Sequence, residues 1–232
     1  MKVGIITQAR MTSTRLPGKV MMKVKGKTML AYHLERLIWS DLPIYVATTT
    51  NAADDIIVEE CKWLNIPTYR GSEHDVLSRY YECAVENKLD IVIRVTSDCP
   101  LIDGYMIAEG YKLYSSLNDK DLLLSNCLDR TYPIGLDYEM FSFELLKDAH
   151  ENAVLNYDRE HVIPYIEQNK SGKVSFYSVT FEKDYSKYRI TLDTQEDFDL
   201  IKTLIEDFDA DILNGEQLIQ MCKEHPNIMF IE

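Results

Sequence analysis

The sequence lacks the marks of a disulfide scaffold. Its five cysteines, Cys61, Cys83, Cys99, Cys127 and Cys222, contain no CxxC pair, no zinc-ligand spacing and no even-numbered framework, so reduced thiols without a structural disulfide are expected. Positive charge is also short. Lys and Arg number 25 against 38 Asp and Glu, a formal charge of -13, which repels polyanions and anionic membrane surfaces and argues against nucleic-acid or membrane partners. Any phosphate must then be held by a local cluster. Long apolar runs are missing too: the opening run Met1-Lys2-Val3-Gly4-Ile5-Ile6-Thr7 is too short, and too soon interrupted by Arg10, to be a signal peptide or a membrane span, and a cytoplasmic chain is expected. No repeat, low-complexity tract or linker rich in Pro, Gly or Ser breaks the 232 residues. With 46% hydrophobic and 27% charged residues, the chain reads as one globular domain over 1–232.

What is present is an alternation of periods. Apolar, β-branched runs at 3–7, 44–48, 66–69 and 90–96 read as strands. Segments 29–39, 53–64 and 76–87 between them space their apolar residues as helices do. Near-continuous apolar strands such as Ile91-Val92-Ile93 imply burial on both faces, hence a mostly parallel central sheet between helical layers, an α/β fold. Beyond Leu101 the rhythm loosens. Helices are expected at 107–117, 142–151, 158–169 and 216–224, and strands at 122–124, 137–141, 174–180 and 189–192. Thr194 and Asp197 form a capping-box pattern that opens a helix to about residue 207.

The densest chemical signal follows the first strand, in Gln8-Ala9-Arg10-Met11-Thr12-Ser13-Thr14-Arg15-Leu16-Pro17-Gly18-Lys19. Three cations, several hydroxyls and a Pro-Gly turn lie where open α/β sheets bind ligands, so the loop has the composition of a phosphate cradle. A solvated basic loop is the plainer alternative. Gly26-Lys27-Thr28 only resembles the end of a P-loop, because Met21 holds the upstream glycine position, and no GxGxxG follows the first strand. Asp98, in Arg94-Val95-Thr96-Ser97-Asp98-Cys99-Pro100, and Asp193, in Arg189-Ile190-Thr191-Leu192-Asp193-Thr194, each follow a strand. Each alone is more often a turn or cap residue, but if the two meet across the sheet edge they could complete a two-carboxylate Mg²⁺ seat. Gly71-Ser72-Glu73-His74-Asp75 leads into a helix carrying Arg79 and reads either as a base-reading turn or as an ordinary Asp75 N-cap. The segments 132–139 and 158–162 carry polar groups able to face a second substrate or simply the solvent. No Ser or Cys nucleophile stands beside a credible base.

Taken in order, Ala9-Arg10-x-x-Ser13-x-Arg15-Leu16-Pro17-Gly18-Lys19, Gly71-Ser72-x-x-Asp75-Val76-Leu77-x-Arg79, Arg94-x-Thr96-x-Asp98-x-Pro100-Leu101-Ile102, Gly135-Leu136-Asp137-x-Glu139, Arg159-Glu160-His161-Val162 and Thr191-x-Asp193-Thr194-x-x-Asp197 resemble the cytidylyltransferase family. Within it the match is closest to the spore-coat polysaccharide biosynthesis protein F branch, related to the CMP-Kdo and CMP-sialic acid synthetases. The resemblance implies a nucleotide-diphospho-sugar transferase type of domain, commonly a homodimer with a small β-arm, here placed at about 129–140 and 174–190. It implies CTP as substrate, Mg²⁺ as cofactor and pyrophosphate as product. Carried over by position, Ala9, Arg10, Ser13, Arg15, Lys19, Gly71, Ser72, Asp75 and Thr96 would bind the nucleotide. Asp98 and Asp193 would hold the metal, and Asp137, Arg159 and His161 would lie toward the acceptor. Arg15, Lys19 and Asp98 would carry catalysis. The acceptor is read as a sugar acid or related small molecule, although the acceptor motifs of the Kdo enzymes are missing here. The alternatives are a GT-A-type glycosyltransferase, which normally needs a second carboxylate where this chain has Pro100, and a nucleotide-binding module without catalysis.

Overall fold

The computed structural model describes residues 1–226. In chain order its elements are β1 (Val3–Gln8), a hairpin of β2 (Lys23–Val24) and β3 (Lys27–Thr28), α1 (Met29–Ile38), β4 (Ile44–Thr49), α2 (Asp55–Trp63), β5 (Thr68–Gly71), α3 (Val76–Glu86) and β6 (Ile91–Thr96). There follow α4 (Gly104–Leu117), β7 (Leu122–Ser125), β8 (Glu139–Ser142), α5 (Phe143–Asn152), α6 (Asn156–His161), α7 (Pro164–Glu167), β9 (Ser175–Ser178), α8 (Gln195–Phe208) and α9 (Gly215–Glu224). Seven strands form one sheet in the order β5-β4-β1-β6-β8-β7-β9. Its pairs are parallel except those made by β8 with β6 and β7. The expected mostly parallel sheet between helices is therefore present.

The alternation within each strand explains the layers. Ile5 and Ile93 face a core with Leu30, Leu34 and Leu37 of α1 and Ile107 of α4. Ile6 and Val92 face the opposite core, with Leu77 and Tyr80 of α3 and Leu146 of α5. Each fully buried Leu or Ile among them contributes about 1.5–3 kcal/mol. A third core joins the β2–β3 hairpin and α1 to α8 and α9 through Met29, Tyr32, Ile201 and Leu218. The hairpin turns on Lys25 and Gly26, both at positive φ, the conformation that two-residue hairpins demand. That is the structural use of the glycine that mimicked a P-loop. Among the described residues, no helix is long and apolar enough to cross a membrane.

The chain runs outward from β1 to β4 and β5, then returns to the other side of β1 as β6. This reversal makes a switch point at the carboxyl ends of β1 and β6, where open α/β sheets leave a crevice for ligands.

Four expectations need correction. Residues 158–169 form two short helices, because Pro164 lacks an N–H and its ring clashes with a preceding carbonyl in a continuous helix. Val162 breaks the run at φ 72 and ψ -54, with the Ile163 N–H donating to the His161 carbonyl at 2.8 Å. This is a γ-turn of the strained, positive-φ kind. Residues 189–192 are not a strand and make only an isolated bridge between Ile134 and Arg189. The helix expected from 107 begins at Gly104, since Asp103 caps it by accepting from the Tyr105 N–H at 2.8 Å.

The β-arm expected at 129–140 and 174–190 is not an arm. Within those ranges β9 and the start of β8 belong to the central sheet, and the rest folds back on the body. Tyr185 N donates to Thr131 O at 2.7 Å and Ile134 N to Tyr188 O at 2.9 Å. The physical reason is burial: Tyr132, Leu136, Tyr185, Tyr188 and Ile190 complete the third core, and an arm extended into solvent would expose them.

Candidate active site

The loop after β1 is built to be rigid. Gly18 sits at φ 73 and donates its N–H to Met11 O at 2.8 Å. Met11 N donates to Asp54 Oδ1 at 2.7 Å. Asp54 is fully buried and also accepts from the Thr48 and Thr49 hydroxyls. At the other edge, Thr12 Oγ1 donates to Glu73 Oε1 at 2.6 Å and Asn51 Nδ2 to Glu73 Oε2 at 3.2 Å. These two bonds hold the Glu73 carboxyl below the usual carboxylate range.

The turn at Gly18 sends Lys19 inward. Its Nζ donates to Leu192 O at 2.7 Å, to Asp193 Oδ1 at 2.9 Å and to Asp98 Oδ2 at 3.3 Å. One ammonium thus joins the basic loop to both acids proposed from the sequence. Asp193 also meets Arg15 at 2.8 Å through Oδ1 and Arg189 at 2.7 Å through Oδ2. Burial would raise its pKa, but Lys19, Arg189 and Arg15 outweigh burial and hold the carboxyl below its ordinary range. Asp197 steadies the segment: Oδ2 accepts from the N–H groups of Asp193 and Thr194 at 2.8 and 2.9 Å, within the capping box that starts α8. Leu192 N and Thr191 Oγ1 both donate to Asp98 O, at 2.7 and 3.0 Å, so the two acid-bearing segments are stitched together.

Beneath them lies His33, fully buried. Its Nδ1 is 2.9 Å from Cys99 O and its Nε2 is 2.9 Å from Thr7 Oγ1. A carbonyl only accepts, so Nδ1 carries the proton and Nε2 accepts from the threonine. Burial pulls the pKa of His33 down to about 4, against the opposing pull of its bond to Cys99.

Above this base opens a cleft of about 330 Å³. Of the residues singled out from the sequence, Ala9, Arg10, Ser13, Arg15, Lys19, Thr96, Asp98 and His161 line it. Asp193 stands behind Lys19. Neither Asp193 nor five others, Gly71, Ser72, Asp75, Asp137 and Arg159, belong to the cleft lining. Gly71 is buried at the end of β5, where a Cβ would come within 2.9 Å of the Tyr69 ring and 3.3 Å of Arg79. Ser72 Oγ accepts from Asp75 N at 3.1 Å. Asp75 caps α3 through Ser78 N at 2.9 Å and accepts from Arg159 Nε at 2.7 Å, so a residue expected at the nucleotide and one expected at the acceptor neutralise each other. Asp137 pairs with Arg130.

Sequence reasoning missed Gln8, Thr14, Val76, Arg94, Ser97 and Glu160, all of which line the cleft. Most of them sit inside the quoted segments beside a more conspicuous charge. Arg94 stands opposite Glu139 in the β6–β8 register, and its Nη1 lies 3.0 Å from each carboxylate oxygen. Burial raises the pKa of Glu139, with Arg94 opposing. Arg94 and His161 also line an adjoining cavity of about 200 Å³ with Tyr157 and Glu167. The γ-turn at Val162 sits directly after His161, at the junction of the two spaces.

Among the described residues no three His, Cys, Asp or Glu side chains gather as a ready metal cage. Asp98 alone suits a divalent ion that keeps waters and shares phosphate oxygens, since its side chain is 29% exposed and it lines the cleft. Asp193 has both oxygens engaged by cations.

The Cytidylyltransferase family profile matches residues 4–225. The spore coat polysaccharide biosynthesis protein SpsF of Bacillus subtilis is 28% identical over 231 residues, 96% of this chain and 94% of that protein. A solved cytidylyltransferase from Leptospira borgpetersenii is 38% identical with a TM-score of 0.94, covering 100% of this chain and 98% of its own. The fold also matches a CMP:2-keto-3-deoxy-manno-octonic acid synthetase solved with CTP, at a TM-score of 0.65 and 15% identity over 90% of this chain and 100% of that one. With the family profile spanning nearly the whole length, this chain belongs to the cytidylyltransferase family of nucleotidyltransferases.

Proposed function

We propose that the chain transfers CMP from CTP to a sugar acid or related small acceptor, releasing pyrophosphate, in the assembly of a surface polysaccharide. The observation that carries this reading is the position of Lys19, between Asp98 and Asp193 at the rim of a polar cleft. The bound CTP of the Kdo synthetase supports the nucleotide, and the resemblance to SpsF supports the biosynthetic role.

The acceptor oxygen attacks the α-phosphorus, the new P–O bond forms as the bond to the β-phosphate oxygen breaks, and the electron pair leaves with pyrophosphate. Catalysis is then positioning and electrostatics. Arg10 and Arg15 grip phosphate oxygens, and Lys19, released from the acids, follows the charge growing on the leaving group. Mg²⁺ would sit on Asp98 with the triphosphate and stabilise the same charge. Asp193 would join it only by giving up its Lys19 and Arg15 contacts. Glu160 and His161, on the cleft wall, are the groups available to take a hydroxyl proton from the acceptor. The adjoining cavity past Arg94 and His161 is the proposed acceptor end. We read the working form as a cytoplasmic homodimer, which sedimentation would show as twice the chain mass.

A pyrophosphate-release screen of ATP, GTP, CTP and UTP against sugar acids and phosphorylated metabolites tests the reading. Release with CTP and one class of acceptor is expected. CTP binding without release for any acceptor would favour a non-catalytic module.

A further inference from the structure

Arg79, on α3, is fully buried and has no carboxylate within ion-pairing distance among the described residues. Its Nη2 donates to Gln8 Oε1 at 3.1 Å. Its Nε and Nη1 are buried without a partner. A buried guanidinium so poorly satisfied is costly, and burial lowers its pKa accordingly. Buried polar groups left this way call for a reason.

The reason lies in what Arg79 does to Gln8. An amide side chain can ordinarily be turned either way, and its two ends are hard to tell apart. A guanidinium removes the ambiguity because it has donors only. Gln8 must turn its oxygen toward Arg79, which leaves the other arm of the fork, the –NH₂ with two donors, for the cleft that Gln8 lines. Ala9, next in the chain, and Val76 at the start of α3 line the same cleft. The cations that suit phosphates come from the loop and from Lys19. A fixed pair of donors beside small apolar side chains is the chemistry of a base-edge reader.

We propose that Gln8, held in one orientation by Arg79, selects the pyrimidine by donating to cytosine O2 and N3. This rests on the CTP reading above. Both cytosine atoms accept hydrogen bonds. Uracil offers O2 but carries a proton on N3, so a donor faces a donor and one partner goes unpaired. A site that leaves a buried polar group unpaired discriminates strongly. Arg79 is a positioning residue here, and Gln8 touches the substrate.

The test is calorimetric binding of CTP and of UTP, with Mg²⁺ and without acceptor, to the wild type, Gln8→Glu and Arg79→Met. The wild type is expected to favour CTP by about a hundredfold or more. Gln8→Glu keeps the shape, pairs with Arg79 and donates nothing to the cleft. Its CTP affinity should fall about tenfold, and its preference should shrink below about tenfold. Arg79→Met frees the amide to turn and accept from uracil N3–H, so UTP should tighten and the ratio fall while CTP binding changes less. Gln8→Leu replaces Gln8→Glu if the latter does not fold. A merely structural role would weaken both nucleotides in parallel, and an unchanged CTP-to-UTP ratio in folded variants of a CTP-selective wild type overturns this assignment alone. A wild type without preference for CTP overturns the cytidylyl reading with it.

Discussion

His33 shows how one buried side chain ties the site to the fold. It bridges β1, through Thr7, to the carbonyl of Cys99 directly after Asp98. With its pKa lowered from 6.5 to about 4, the unfolded chain takes up a proton below pH 6.5 that the folded chain refuses until about pH 4. Stability from this group is therefore full above pH 6.5 and is lost as pH falls through that window, by about 2 kcal/mol at pH 5. Urea unfolding at pH 7.5 and pH 5 should show that loss in the wild type and lack it in His33→Gln. Parallel losses in the two proteins would contradict the burial argument. Lys19 is the other decisive residue. In the structure its ammonium sits between the two acids and donates to both.

At the level of elements, close packing sets the tolerances. A Cβ on Gly104 would approach Arg36 O to 2.4 Å and Ser40 N to 2.7 Å. Both are backbone atoms that cannot step aside cheaply. Gly104→Ala should therefore push α4 off the end of α1 and cost about 1–3 kcal/mol, read as a lower urea midpoint at unchanged slope. The strands and helices of the first half were legible because their signals are local: the runs at 44–48 and 90–96 and the periodic 29–39 segment became β4, β6 and α1 with ends shifted by a residue or two. The basic loop was legible for the same reason, since its charges are consecutive. Partner choice was not. Asp75 and Arg159 lie 84 positions apart, and nothing in either segment says that the acid spends its charge on that arginine. Nor does the alternation of Arg189 to Leu192 reveal that this stretch packs as irregular chain under α8. Gln8 went unnoticed because an uncharged amide beside Arg10 carries no signal until Arg79 is seen behind it.

Across the whole molecule, a net charge of -13 surrounds a cleft whose cations come from separate stretches of chain. Arg10, Arg15 and Lys19 stand on the loop after β1 and Arg94 on β6, while Arg189, ahead of α8, pairs with Asp193 behind them. The switch point between β1 and β6 gives them a common rim, and the third core fixes the Asp193 segment against it through Ile190 and Leu192. An acidic exterior around a cationic pocket favours a highly charged ligand only where several of its oxygens can be held at once. The most direct test is the rate of pyrophosphate release from CTP with acceptor present, compared among wild type, Lys19→Ala and Asp98→Asn. Each substitution should slow release by at least about a hundredfold, as loss of a group stabilising the transition state does, while circular dichroism and the unfolding midpoint stay near native. Near-normal rates in both folded variants would contradict the assignment of this rim as the place where CTP reacts.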